Sequence, residues 1–169
     1  MSKTFRKVIS AVLMLSILLT GILTLTGCGN SPEKVAEGAY KAMLKGDAKK
    51  LLSYMPDKFV DYILEEEFDG DKDEMLDSLE EVFEYINEFY EENDVDAKDI
   101  KVKATDVEDM DEDEIDDLNA DYEDCDIKIK DAKIVEIEVT YEMDGDEETD
   151  EEEITVIKVG SKWYIGGDF

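Results

Sequence analysis

The feature that most constrains this chain is a change of period. Up to Asn93 the apolar residues recur three and four positions apart; from Ile100 onward, apart from one short acidic stretch, they recur at every second position. The first spacing gathers side chains on one stripe of an α-helix, the second on one face of a β-strand. Helices followed by strands predict an α+β domain, with N-terminal helices packed on one face of a curved antiparallel sheet.

The widest stripe holds Met75, Leu76, Leu79, Val82, Phe83, Ile86, Phe89 and Tyr90, which predicts a helix from about Asp73 to Glu91, with Glu80, Glu81, Glu84 and Glu88 on its wet side. Three shorter helices precede it. Ser31-Pro32 reads as an N-cap followed by proline at the first helical position, opening a helix to about Lys45 that carries Val35, Ala39, Ala42 and Met43 and stops at Gly46. Asp47 caps a second, with Leu51, Leu52 and Met55, ended by Pro56; Asp57 caps a third, with Phe59, Val60, Ile63, Leu64 and Phe68.

Beyond the switch, Ile100, Val102 and Ala104 alternate with Lys101, Lys103 and Thr105 as in a half-buried strand. Between Glu108 and Asp124, Ile115, Leu118 and Tyr122 keep helical spacing, which predicts a short surface helix with a solvated acidic face. Ile127 and Ile129 open the next strand, in which Val135, Ile137, Val139, Tyr141 and Met143 alternate with Glu136, Glu138, Thr140 and Glu142. A turn at Asp144-Gly145-Asp146 and a run of acids lead to a strand from Ile154 to Val159, apolar on both faces as a central strand can be. Gly160-Ser161 then makes a tight hairpin into Lys162-Trp163-Tyr164-Ile165.

The first 27 residues have the parts of a secretory signal: Lys3, Arg6 and Lys7, an apolar run from Val8 to Leu25, and small residues before Cys28. Leu25-Thr26-Gly27-Cys28 resembles the lipobox of bacterial lipoproteins. The resemblance implies cleavage before Cys28, a diacylglyceryl group on its sulfur, and a mature protein anchored on the extracytoplasmic face of the cell membrane. A retained transmembrane helix is the other reading of so long an apolar run. Residues 28–30 form the lipidated cysteine and its tether, which reaches only about 10 Å when extended. Residues 31–169 form a single domain.

Removing the leader leaves 142 residues with 15 basic against 48 acidic side chains, a formal charge of −33. That charge repels nucleic acid and anionic membrane surfaces, so membrane association falls to the lipid. Regular apolar spacing and abundant aromatics set the chain apart from a disordered acidic tail. With Cys28 acylated, Cys125 has no partner for a disulfide, and the chain contains no histidine to activate it; it reads as a small buried residue.

The element order and the closing stretch Ile154 to Ile165 resemble small lipoproteins of Gram-positive bacteria with a nuclear transport factor 2-like, cystatin-like domain. The resemblance implies a cone in which a curved sheet wraps the helices and leaves a pocket, with Phe83, Tyr141 and Trp163 as its lining. Enzymes of that fold keep carboxylates, histidines or tyrosines inside the cone, but here the interior sheet face offers Tyr141 as its one titratable group, with the acids opposite. The chain is therefore expected to be a lipid-anchored binding or scaffold domain without catalysis or cofactor, taking an envelope protein or a small apolar ligand. A two-lobed solute receptor does not fit 142 residues.

Two other functions are open at this level. Asp69, Asp71, Asp73 and Glu80 stand at positions one, three, five and twelve of a pattern that looks like a calcium-binding EF-hand loop, although Glu74 replaces the glycine of position six. The competing reading has Asp71 or Asp73 as the N-cap of the following helix. The second is a carboxylate enzyme working from the rim of the cone.

Overall fold

The computed structural model describes residues 30–92, 95, 99–143 and 146–166. Four helices, α1 (Pro32–Leu44), α2 (Ala48–Leu52), α3 (Asp57–Phe68) and α4 (Lys72–Glu92), precede β1 (Lys101–Asp109). Helix α5 (Glu112–Asp121) and a single 3₁₀ turn (Glu123–Cys125) then lead to β2 (Ile129–Met143), β3 (Asp146–Val159) and β4 (Lys162–Ile165). The strands form one antiparallel sheet in chain order, β1-β2-β3-β4. The α+β expectation holds, and register shifts at Ala104/Asp106 and Ile129/Ala132 bend the sheet.

Local chemistry accounts for most helix ends. Ser31 caps α1 with proline in the first turn, and Gly46 at φ 64° closes it: its N–H reaches the Met43 carbonyl at 3.0 Å while that of Asp47 reaches Ala42 at 2.9 Å. A side chain at Gly46 would oppose that left-handed backbone. Asp47 caps α2 as expected, but α2 ends at Leu52 and leaves Met55 beyond it. Asp57 is no cap: Pro56 stands at the N-cap, and Asp57 lies in the first turn, where its charge meets the helix dipole. The acidic surface helix is confined to α5, opened by a capping box of Asp111 and Glu114.

The largest departure from the sequence reading is β3. The acids after Asp146 are not a connection; Asp146 to Glu153 are extended and paired with β2, from Met143↔Asp146 through Glu136↔Glu153. Of the expected turn, Asp144 and Gly145 lie outside the described residues, and Asp146 opens β3. Aspartate and glutamate are poor strand formers on their own. Their strand is imposed by β2, whose Val135, Ile137 and Val139 are at most 1% exposed and fix the register.

The helices also cover more than one face. On the concave face Val135, Ile137 and Val139 of β2, Ile154 and Val156 of β3 and Trp163 of β4 pack against Val35, Ala36 and Leu44 of α1. On the opposite face Ala132 and Ile157 meet Leu118 of α5, Tyr122, Cys125 and Phe59 of α3, whose ring lies 5.4 Å from that of Tyr122. One end of the sheet is thus covered on both sides, as the two-faced Ile154–Val159 predicts. A third cluster joins helices to helices: Ala39 and Ala42 of α1, Ala48 and Leu51 of α2, Leu76 and Phe83 of α4.

Candidate functional site

Beyond Ile134 the sheet loses its second cover, and side chains with chemistry collect at that end. On the solvent face β2 and β3 oppose glutamates directly in three pairs, Glu136↔Glu153, Glu138↔Glu151 and Glu142↔Glu147. Like charges directly across a ladder destabilise it. Lys101 of β1 reaches Glu147 at 3.7 Å, but both are largely exposed and the pair contributes little. Thr105, the extra residue at the β1 register shift, donates its hydroxyl to the Glu136 carboxylate at 2.8 Å.

The concave face at the same end carries carboxylates too. Ile137, Val139 and Tyr141 stand opposite Glu152, Asp150 and Glu148. This corrects the expectation that Tyr141 is the interior face's one titratable group: the acidic run is strand, so alternate acids turn to the concave side. Tyr141 donates its hydroxyl to Asp150 at 2.7 Å, and its ring meets Tyr90 of α4 edge-on at 6.5 Å. Tyr90 in turn shares a side-chain hydrogen bond with Tyr40 of α1.

These neighbours shift one another's protonation. The bond to Asp150, with some burial, pushes the Tyr141 hydroxyl up to about 12. Burial raises Tyr40 well above the ordinary tyrosine range, helped by the Tyr90 hydroxyl and the Glu152 carboxylate, and burial raises Tyr90 as well. All three phenols are therefore neutral donors at pH 7. Glu152 is raised by burial and then by the charge on Asp150.

The three residues expected to line a pocket do not come together around one. Phe83, 3% exposed, fills the helix cluster against alanines of α1 and α2. Trp163 lies on the concave face with Lys158 and Lys133 at 5.0 and 5.8 Å from its ring. Tyr141 alone sits in the acidic end.

The calcium-loop candidate dissolves into a tight turn. Three residues separate α3 from α4: Asp69 with φ 49°, Gly70 with φ 79°, and Asp71, whose carboxylate accepts the N–H groups of Asp73 and Glu74 at 3.1 Å each. Asp71 is the N-cap, as the competing reading has it. Asp73 and Glu80 stand on the helix rather than around a loop, and among the described residues no group of three acids is placed to hold a metal ion.

Asn30 closes the other end of the domain. Its side-chain amide donates to the Trp163 carbonyl at 3.0 Å and its carbonyl accepts the Trp163 N–H, so it pairs with the outer edge of β4 as a short strand would. Cys28 and the leader lie outside the described residues. No described helix is long and apolar enough to cross a membrane. Cys125 is buried, and burial with the nearby Asp124 pushes its thiol up, away from reactivity.

Compared with known proteins, the chain matches no family model, no curated sequence and no solved structure. Sequence reasoning missed Tyr40, Tyr90, Asp150 and Glu152 as one group. A signal existed for part of it: once Met143 is set opposite Asp146, Tyr141 and Val139 fall opposite Glu148 and Asp150 by counting alone.

Proposed function

We propose that this chain is a lipid-anchored extracytoplasmic binding domain without catalytic activity, held by a diacylglyceryl group on Cys28, and that the acidic-aromatic end of its sheet receives a cationic partner. The observation that carries this is the Tyr141–Asp150 hydrogen bond beside Tyr90 and Tyr40. Neutral phenol rings next to carboxylates offer a cation both π-faces and acidic oxygens. Three neutral tyrosines and a chain without histidine favour binding over proton transfer. The raised Glu152 beside Asp150 supports carboxylate acid-base work as the second reading.

The anchor fits this geometry. Gly29 alone separates Cys28 from Asn30, so a lipid on Cys28 holds the β4 end of the sheet against the bilayer. From Lys158, opposite Trp163, β3 runs twelve residues back to Asp146, about 40 Å at strand rise. With the strands upright on the bilayer, the acidic end stands several Debye lengths from anionic lipid. Helices followed by a bent meander support the nuclear transport factor 2-like reading of the fold.

Intact mass of protein from membrane fractions tests the anchor: the expected species begins at diacylated Cys28, and Cys28→Ala releases the chain. Retention of Met1 to Gly27, or a soluble form indifferent to Cys28→Ala, counts against it. For the partner, a fluorescent lysine-rich peptide should bind the detergent-extracted protein and a glutamate-rich one should not. Equal behaviour of the two peptides refutes the cationic reading.

A further inference from the structure

Strand β4 covers only the last part of β3. Its pairs run from Val156↔Ile165 to Val159↔Lys162, and the Gly166 N–H extends the contact to the Thr155 carbonyl at 2.9 Å. From Asp146 to Glu152 the outer side of β3 has no strand beside it among the described residues. The bond at Thr155 also fixes the direction of the backbone groups. Thr155 points toward the β4 side, and a strand turns its N–H and C=O to alternate sides, so Glu147, Thr149 and Glu151 point theirs outward too. All three residues are exposed. Their six backbone groups face outward along about 13 Å of strand.

We propose that this rim is a docking strand, and that its occupant is an extended basic segment of a partner protein, added to the sheet as a further strand. Main-chain hydrogen bonds from Glu147, Thr149 and Glu151 hold it, and side chains decide what it is. An added strand turns alternate residues to the two faces of the sheet. On one face they meet Glu147 and Glu151; on the other they meet Glu148, Asp150 and Glu152, with the Tyr141 and Tyr90 rings behind Asp150. Lysine or arginine on both faces satisfies these charges, and the arrangement rejects a second copy of this chain, whose own rim carries the same acids.

The inference rests on the cationic-partner reading and names how that partner binds, so the test separates the two. The membrane-derived protein in detergent is titrated at about 0.1 M salt with a labelled peptide of about ten residues in which pairs of lysines alternate with pairs of threonines, so that lysines reach both faces, and anisotropy is read. A second peptide of the same sequence and charge carries N-methyl groups on alternate amides, which removes its strand donors on one side. Strand addition predicts at least about tenfold weaker binding of the methylated peptide, since two or three hydrogen bonds are lost. Thr149→Pro should weaken the unmodified peptide comparably while leaving the melting temperature near wild type, because proline is tolerated where the N–H points away from the ladder. Equal affinity for both peptides, with Thr149→Pro without effect, overturns strand docking and leaves a charge attraction alone. Absence of binding by either peptide overturns the cationic reading as well. Self-association at neutral pH, competing with the peptide, would assign the rim to a second copy and overturn the proposal.

Discussion

The two ends of the β2–β3 ladder share a backbone and little else. At the β4 end, Ala132 and Ile157 are fully buried on one face while Val135 and Val156 are fully buried on the other, and helices close over both. At the hairpin end the same strands carry three opposed glutamate pairs, with Glu148 and Asp150 exposed on the concave side. The first end is held by burial, at roughly 25 cal/mol for each Å² of apolar surface. The second is held by pairing that the first end sets in register, against its own charge. Apolar burial and exposed acidic side chains are therefore segregated along one pair of strands, and the acidic end is free to be costly because the buried end supplies the fold.

The largest effect that tests this division is at Ile157, fully buried against Ala132 and Phe59. Ile157→Ala should cost about 2 to 5 kcal/mol in urea denaturation, while Glu151→Ala should stay within about 0.5 kcal/mol. Comparable losses at both sites would erase the distinction between the ends. Next is Asn30: its two hydrogen bonds to Trp163 should make Asn30→Ala about 1 to 3 kcal/mol less stable, read by the same unfolding curve.

Glu151→Lys probes the acidic end alone. It turns the opposed pair with Glu138 into an attractive one and should raise stability by about 0.2 to 1 kcal/mol, a gain that shrinks with salt. A loss instead would mean that the glutamate ladder is not under strain.

The smallest effect is the pH dependence, which has two limbs of opposite sign. Glu152 is raised in the folded state, so its contribution is complete below the ordinary glutamate value of 4.5 and fades as pH rises through the folded value. Glu37 behaves the other way. Burial alone would raise it, but the Lys41 ammonium at 2.9 Å and the Ala104 N–H at 3.0 Å hold it below 4.5. Its contribution is present above 4.5 and is lost as pH falls through the lowered value. The melting temperature should rise on acidification from pH 7 toward 4.5 and fall below it. Glu152→Gln should flatten the upper limb and Glu37→Gln the lower; a curve unchanged by either substitution would detach both groups from stability.

The same division explains how much was legible in the residues. Elements that bury a stripe or alternate apolar and polar residues announce themselves, so α1, α4, the apolar half of β2 and the two-faced Ile154–Val159 are visible in one dimension. Asp146 to Glu153 show no apolar period, and their strand exists only because β2 lies beside them. The site follows suit: Tyr40, Tyr90, Tyr141 and Asp150 come from α1, α4, β2 and β3, and no local spacing joins them. Asp57 misleads for a plainer reason: it is the first residue inside α3, Pro56 takes the N-cap place, and no side-chain cap forms there.

The Asn30 clamp has a mechanical consequence. Its two hydrogen bonds run across β4, and β4 is paired lengthwise to β3, so a pull between an anchored N-terminus and something held at the hairpin travels along the strand axes. Such a load shears several bonds at once instead of peeling them one after another. If the proposed anchor holds one end of the sheet and the proposed partner the other, the ladder between them transmits the tension.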